Sequence, residues 1–555
     1  MPYQCMVTCG DGLVAARGSS IDSFNLQSGS LLSTWTCPAS QESKKESDSP
    51  AQSSEKHEAS STHPEIAEVL VEETGPPSKK RKLSNDPEKG HQSPAPKDQK
   101  LDQKRGNKER KQKQNYRSVA VSTGLETPAV IALAATTDGR HVIAVTGEDK
   151  SIRVFDRIEE GGVQKLQQIK LTTKSAMPKR PCSITISQDN TTIFSADKFG
   201  DVYSVPLLAS PSPHPIPKDQ TPEPTSAAKP FVPAANQFTI HSQRNRKALE
   251  NQKRHTNQAS EKVAPAFEHK LLLGHVSMLT DIALVAHQGR NYIVTVDRDE
   301  HIRVSRGIPQ AHIIETFCLG HTDFITRLCF PLGREEVLVS GGGEDKLFVW
   351  EWLAGRIVAK VDLKKHVDGV RAGLEVFKEK KVLVESVKIV VSGIWSVKLA
   401  VGDRPVDAIV VTCEGYDFPG FILVQNLTDR SSVPALFTFS LTMENSLEHL
   451  QTLLLPGNVL CLVGTTADAS GATAGLIVSI DNIHKSGSTS DLRENTTEVS
   501  SSLLAYKFQD GSFAENGSIF SRFSDVSRDG VAGRLSSLLY SLENLRKREG
   551  EVNEE

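Results

Sequence analysis

Short stretches of alternating hydrophobic and polar residues recur along the chain at a regular interval, each beside an acidic turn. The four clearest are GEDKSIRVF, SADKFGDVY, VDRDEHIRVS and GGEDKLFVW, with acidic residues Asp149, Asp197, Asp299 and Glu344. Alternation of this kind predicts half-buried β-strands. The acidic residues lie 48, 102 and 45 positions apart, and the middle interval becomes 44 when the polar residues 209–266 are left out. A repeat of about 45 residues is typical of a four-stranded propeller blade.

Three polar segments interrupt this repeat. They are residues 38–117, 209–266 and 486–555. Without them 347 of the 555 residues remain, which is enough for about seven units. We therefore predict an all-β fold, a WD-repeat β-propeller of about seven four-stranded blades. The blades are assigned to residues 1–37, 118–208 and 267–485. Because a closed ring leaves no exposed sheet edge, we expect the N-terminal strand to complete the last blade.

The first polar segment separates its charges into two halves. Residues 41–75 carry a net charge of −6 and residues 76–117 a net charge of +9. We expect 38–117 and the proline-rich 209–266 to be disordered, because they are too polar to offset the entropy of ordering. A proline-flanked basic cluster in the second half predicts nuclear import, with a solvated charge run as the alternative. The cluster consists of Lys79, Lys80, Arg81 and Lys82.

The last segment, 486–555, is predicted to be a flexible tail with one amphipathic helix over residues 531–549. Five leucines recur there at helical spacing, and basic residues end the helix, where its dipole favours cations. The leucines are Leu535, Leu538, Leu539, Leu542 and Leu545. This apolar stripe predicts docking of the helix, either onto the propeller itself or onto a partner.

Two Gly-His pairs support the WD-repeat assignment. His275 and His321 each stand about one half-unit ahead of an acidic turn, as the repeat requires. In such a blade a histidine, a hydroxyl group, a turn carboxylate and an indole N–H can satisfy one another's hydrogen bonds. We assign His275 to one such relay, and His321 to the next.

The relay of the later unit is predicted to contain Ser340 and Trp350 beside the histidine. Its carboxylate is either Glu344 or the adjacent Asp345, and Asp345 is taken as the member. A catalytic His/Ser/Asp triad is disfavoured, because the same elements recur in a neighbouring unit and a repeated element is structural.

The strand HIRVS ends on Ser305, where the other units have a large aromatic residue. Alternation places Arg303 and Ser305 on one face of the strand. A guanidinium group suits bidentate pairing with a carboxylate, which for Arg303 can be one on a partner. An ion pair with Asp299 or Glu300 inside the blade is the alternative. The predicted partner-binding residues are Arg298, Asp299, Glu300, Arg303 and Arg306.

No motif for bond-making chemistry stands out. The glycines of SGGGEDK lead into a strand, whereas a phosphate-binding loop needs a helix N-terminus behind it. The eight cysteines include no CxxC pair, so we predict no metal site. A net charge of −3 argues against binding polyanions through bulk charge, and no apolar run approaches the ~18 residues that span a membrane. The chain therefore has the features of a scaffold without a membrane segment.

One block of sequence resembles a known family. TVDRDEHIRVSR followed by ETFCLGHTDFITRLCF resembles the non-catalytic WD-repeat subunit of the tRNA (guanine-N7)-methyltransferase. RGSSIDSFNL, DKFGDVY and GGGEDKLFVWEW are similar to further blocks of that family. Ordinary WD repeats rarely lack the aromatic residue at Ser305, so the resemblance makes this serine a family feature. The long inserts 38–117 and 209–266 depart from the family pattern, and their roles stay unassigned.

The resemblance implies a function. It implies a heterodimer with a Rossmann-type catalytic subunit, which uses S-adenosylmethionine to methylate a guanine in the variable loop of tRNA. No cofactor is then expected on this chain, and the nucleus is the expected location. The alternative is a nuclear WD-repeat adaptor for a chromatin or ubiquitin-ligase complex, which fits the fold but leaves the DRDE block unexplained.

Overall fold

The computed structural model describes most of the chain outside the polar segments. The described residues are 1–38, 128–160, 163–169, 176–208, 267–379, 387–401, 404–415, 431–466, 473–493, 501–516 and 532–547. They form seven four-stranded antiparallel sheets, and within each sheet the strands follow one another in chain order. The first strand of every sheet contacts the first strands of the sheets before and after it, and the seventh contacts the first. The prediction of a seven-bladed β-propeller is confirmed.

Blades 1 to 4 occupy the first part of the chain. The strands of blade 1 are β1 Cys5–Cys9, β2 Gly12–Arg17, β3 Ser20–Asn25 and β4 Leu31–Thr36. Those of blade 2 are β5 Val130–Ala135, β6 His141–Thr146, β7 Ser151–Glu160 and β8 Val163–Gln168. Those of blade 3 are β9 Pro181–Ile186, β10 Thr192–Asp197, β11 Asp201–Pro206 and β12 Lys270–Gly274. Those of blade 4 are β13 Leu279–His287, β14 Arg290–Asp297, β15 Ile302–Arg306 and β16 Ile314–Cys318.

Blades 5 to 7 and the helices follow. The strands of blade 5 are β17 Ile325–Cys329, β18 Val337–Gly342, β19 Lys346–Glu351 and β20 Arg356–Asp362. Those of blade 6 are β21 Ile389–Val401, β22 Arg404–Gly415, β23 Ala435–Leu441 and β24 Leu447–Leu454. Those of blade 7 are β25 Asn458–Thr466, β26 Thr473–Asp481, β27 Leu503–Gln509 and β28 Ser512–Glu515. The helices are α1 Lys364–Gly373, α2 Glu375–Glu379 and α3 Ala532–Leu539, with 3-10 turns at Trp352–Ala354 and Leu542–Leu545.

Burial explains why the strands of one blade differ in sequence. Every residue of β18 is buried, because neighbouring blades cover both of its faces, and the strand is accordingly almost purely apolar and small. In β20, at the outer edge, exposed and half-buried residues alternate, and the sequence RIVAKVD alternates with them. The apolar cores lie between adjacent blades. One of them joins Val304 and Cys318 of blade 4 to Trp350 and Trp352 of blade 5.

The predicted closure of the ring is wrong. The N-terminal strand β1 pairs with β2 inside blade 1, and blade 7 has four strands of its own, so no strand is exchanged between them. Side-chain packing closes the ring instead. Tyr3 is buried in a cluster with Val463 and Ile477 of blade 7, and the Ser479 hydroxyl donates to the Tyr3 carbonyl oxygen at 2.7 Å.

The predicted boundaries need two corrections. The seventh blade continues through β28, which ends at Glu515. The predicted start of the tail, at residue 486, is therefore too early in the chain. The helix predicted over 531–549 ends at Leu539 and is followed by the turn Leu542–Leu545. Helix α1 was not predicted, since its apolar positions are few. The import cluster 79–82, residues 39–117 and the segment 209–266 lie outside the described residues. None of the described helices has the length and apolar character needed to cross a membrane.

Candidate partner interface

The relay in blade 5 matches the WD-repeat pattern. The indole N–H of Trp350 donates to Ser340 Oγ at 2.8 Å, and Ser340 Oγ lies 2.8 Å from His321 Nε2. His321 Nδ1 contacts the Glu344 carboxylate. Trp350 is fully buried and stacks at 15° on Phe348, 5.8 Å between ring centroids. The relay thus gives the Trp350 indole, the Ser340 hydroxyl and both ring nitrogens of His321 a hydrogen-bond partner.

The carboxylate of this relay is Glu344, and the assignment to Asp345 is wrong. Burial opposes ionisation of Glu344, but hydrogen bonds from His321 and Thr322 outweigh it, and its pKa is lowered. Asp345 lies beside α1: its carbonyl oxygen accepts the N–H groups of Leu363 and Lys364, and the charges near its carboxyl include those of Lys364 and Arg371. Burial raises the pKa of the Asp345 carboxyl. Two adjacent acids cannot be distinguished by spacing, because the turn decides which of them faces the histidine.

Blade 4 contains a relay with two members that the sequence analysis missed. His275 Nδ1 lies 3.1 Å from Asp297 Oδ2, and His275 Nε2 lies 2.8 Å from Thr295 Oγ1. Asp297 also accepts the backbone N–H groups of Asp299 and His301, each at 3.0 Å. Spacing could have found Thr295, because the hydroxyl of Ser340 follows His321 by 19 positions and that of Thr295 follows His275 by 20.

Arg303 lies where Ser305 leaves room for it. Ser305 pairs with Ile293 across the hairpin as Trp350 pairs with Leu338, so the serine occupies the position of the indole. Arg303 Nε donates to Ser305 Oγ at 3.0 Å, and Nη1 donates to the carbonyl oxygen of Gly274 in blade 3 at 2.9 Å. The serine is therefore a hydrogen-bond acceptor for the arginine at the boundary between the third and fourth blades.

No described carboxylate compensates this charge. Arg303 is only 8 % exposed, so its side chain is largely withdrawn from solvent. Neither Asp299 nor Glu300 pairs with it, so the alternative of an ion pair inside the blade is wrong. Burial lowers the pKa of the Arg303 guanidinium, although an arginine stays charged at any physiological pH. Arg303 is therefore a largely buried charge whose described hydrogen-bond acceptors are two neutral oxygen atoms.

The other four predicted partner-binding residues lie apart from Arg303. Arg298 donates through Nε to the carbonyl oxygen of Leu545, and Asp299 Oδ1 lies 3.0 Å from Lys547 Nζ, both in the C-terminal segment. Arg306 donates to Glu315 Oε2 at 2.7 Å within the blade. Glu300 is half-exposed in the turn, with φ of 74°. Three of these four residues therefore have contacts within the chain, and their predicted contact with a partner stays a prediction.

Exposed apolar side chains lie on the elements that hold Arg303. Phe317 is its cross-strand neighbour on β16 and is 39 % exposed. Val276 follows the Gly274 acceptor by two positions and is fully exposed, and Leu271 on β12 and Leu319 after β16 are each more than half exposed. Exposed apolar side chains on the elements that hold a buried polar group are a feature of binding surfaces. We call Arg303 with these four residues the blade 3–4 seam.

Comparison with known proteins identifies the family. The sequence profile of the tRNA methyltransferase TRM82 WD40 domain matches residues 13–506. The chain is 42 % identical to a protein of Sclerotinia sclerotiorum named tRNA (guanine-N(7)-)-methyltransferase non-catalytic subunit, over 99 % of each chain. The chain belongs to this family. It is also 35 % identical to the protein of the same name from Coccidioides immitis, over 96 % of this chain and 95 % of that one.

Family membership makes the chain a non-catalytic subunit, as the sequence predicted, and leaves the alternative of a chromatin or ubiquitin-ligase adaptor without support. It also agrees with a structural role for both histidine relays. Among solved structures, the WD40 repeats of RRP9 superpose with a TM-score of 0.43 at 12 % identity, over 88 % of this chain and 89 % of that one. That similarity is too distant to carry any functional argument. Within the described ranges, no three His, Cys, Asp or Glu side chains are grouped as metal ligands.

Proposed function

We propose that this chain is the scaffold of a tRNA (guanine-N7)-methyltransferase heterodimer. It binds a Rossmann-type catalytic subunit and holds that subunit active for methylating a guanine in the variable loop of tRNA. S-adenosylmethionine binds the catalytic subunit and not this chain. The observation that carries the proposal is the 42 % identity over 99 % of both chains to a protein named as the non-catalytic subunit of that enzyme.

The blade 3–4 seam is the proposed docking surface. A charge that is removed from water without a counter-charge is unfavourable, and a carboxylate brought by a partner would compensate it. The planar guanidinium of Arg303 can bind such a carboxylate through two N–H groups. The exposed Phe317, Val276, Leu271 and Leu319 would exclude water around that ion pair, which strengthens it.

A reconstitution assay tests the function. The purified chain, the catalytic subunit and their mixture are each incubated with tRNA and S-adenosylmethionine, and N7-methylguanine is quantified. Activity is expected to be high only in the mixture, and calorimetric titration of the isolated chain with S-adenosylmethionine is expected to give no heat of binding. Equal activity of the catalytic subunit with and without this chain would contradict the proposed role.

The location of the complex rests on a separate proposal. The basic cluster 79–82 directs the chain to the nucleus, which is supported only by its composition and its flanking prolines. Replacing Lys79, Lys80, Arg81 and Lys82 with alanine is expected to move a fluorescent fusion to the cytosol. An unchanged nuclear signal would mean that another basic run or the partner drives import.

A further inference from the structure

The C-terminal segment, residues 532–547, is anchored at the junction of blades 7 and 1. Leu539 and Tyr540 are buried in a small cluster with Met1, Leu460 and Ile483. The Tyr540 hydroxyl also donates to a carboxylate oxygen of Asp481, at the end of β26, at 2.5 Å. Tyr540 is only 2 % exposed, so this end of the segment is part of the core.

The other end of the segment crosses to blades 6 and 5. The Arg546 side chain is 10 % exposed and donates to the Asp323 carboxylate, ahead of β17. It also donates to the carbonyl oxygens of Gly343, in the β18–β19 turn, and Ile389, in β21, at 3.0 and 3.4 Å. Its guanidinium carbon lies 5.2 Å from the centre of the Phe324 ring. One arginine therefore joins two blades through acceptors that the propeller fold itself positions.

The segment then reaches the β14–β15 turn of blade 4. Arg298 Nε donates to the Leu545 carbonyl oxygen at 2.6 Å, and Lys547 Nζ lies 3.0 Å from Asp299 Oδ1. Glu300 in this turn has φ of 74°, a left-handed conformation that is unfavourable for a residue with a side chain. External contacts to two consecutive residues of this turn, Arg298 and Asp299, favour one conformation over the alternatives.

The same turn is linked to the blade 3–4 seam. Its residue Asp297 accepts the N–H groups of Asp299 and His301 and also contacts His275. His275 directly follows Gly274, whose carbonyl oxygen accepts from Arg303. A shift of the turn would thus move the loop that holds the Arg303 guanidinium.

We propose that the C-terminal segment is an intramolecular clasp that positions the 297–301 turn, and through it Arg303, for the catalytic subunit. The proposal rests on the proposed function of the seam. The clasp ties the junction of blades 7 and 1 to blades 6, 5 and 4. The residues of the turn that it contacts are positioning residues, and the partner is bound by the seam itself.

The test uses the full chain with Arg546→Ala, and Arg356→Ala as a matched control. Arg356 is an exposed arginine that pairs only within blade 5, with Glu351. Hydrogen exchange of the Asp299 and His301 amides in the free chain is expected to become roughly tenfold faster in Arg546→Ala. The affinity for the catalytic subunit is expected to fall by about threefold to tenfold. The control is expected to change neither quantity.

Each outcome decides the matter. Unchanged exchange in Arg546→Ala would overturn the clasp, and tighter binding of the subunit would show that the segment competes with the partner instead of assisting it. If Arg546→Ala does not fold, Lys547→Ala and Tyr540→Phe make the same comparison, because they remove single contacts at the two ends. If the unaltered chain does not bind the subunit, the proposed function fails, whereas the exchange rates still test whether the segment holds the turn.

Discussion

Blades 4 and 5 have the same hairpin register and the same type of histidine relay, yet they fill one position in opposite ways. In blade 5 the position holds Trp350, which is fully buried and donates one hydrogen bond to Ser340. In blade 4 it holds Ser305, and Arg303 takes up the space. The first arrangement gains stability from a large apolar surface. The second buries a charge, which contributes little to stability and is suited to binding a charged partner.

The largest effect on stability is expected from Trp350→Ala. It removes a fully buried indole and leaves Ser340 without its donor, so the free energy of unfolding is expected to fall by about 3–5 kcal/mol. Denaturant unfolding measures this loss of stability. Circular dichroism is used to monitor it, because that signal does not depend on the tryptophan that is removed. Binding of the catalytic subunit is expected to fall only in proportion to the unfolded fraction. A loss below about 1 kcal/mol would mean that blade 5 does not depend on its aromatic position.

An intermediate effect on stability is expected when the relay carboxylate, Glu344, is replaced. The adjacent acid, Asp345, provides a matched control. Glu344→Gln weakens a charge-assisted hydrogen bond to His321 and is expected to lower the free energy of unfolding by about 1–3 kcal/mol. Asp345→Asn is expected to change it by less than about 0.5 kcal/mol, because burial raises the pKa of Asp345 and disfavours its charge. The reverse order of the two variants in denaturant melts would refute the assignment of Glu344.

The hydrophobic pattern of the chain predicts the ring of blades, but it does not predict which contacts each residue makes within that ring. Alternation and a repeat of about 45 residues suffice for seven blades, because every blade buries its inner strands in the same way. The closure of the ring, the choice of Glu344 and the burial of Arg303 depend on side chains from segments distant in sequence. The alternation of the strand places Arg303 beside Ser305, but it cannot reveal that the carbonyl oxygen of Gly274, in the preceding blade, accepts a hydrogen bond from the arginine.

A smaller effect is expected from pH, because the stability that the same relay contributes depends on the ionisation of Glu344. The folded-state pKa of Glu344 lies below its unfolded value, since its hydrogen bonds outweigh burial. The folded state therefore binds fewer protons, and the stability from this group is present above about pH 4.5 and lost as the pH falls through the folded pKa. The difference in unfolding free energy between the unaltered chain and Glu344→Gln is thus expected to shrink as the pH falls below about 4.5. A difference that grows towards acid pH would contradict this sign.

The smallest change in stability is expected for Arg303→Met. This variant is also the most direct test of the comparison between blades 4 and 5. Methionine keeps much of the volume and removes a charge that no described carboxylate compensates, so the free energy of unfolding is expected to change by no more than about 1 kcal/mol. Affinity for the catalytic subunit is expected to fall by about 2–5 kcal/mol, because the partner's carboxylate loses its counter-charge.

The decisive measurement is a titration of the catalytic subunit with Arg303→Met, alongside thermal unfolding of the free variant and of Arg306→Met as the matched control. Arg306 lies three positions along the same strand and pairs with Glu315 inside the blade, so its variant is expected to bind almost normally. The account predicts that Arg303→Met loses binding while its melting temperature stays close to that of the unaltered chain. Normal binding, or a loss of binding only in proportion to a large drop in melting temperature, would contradict it.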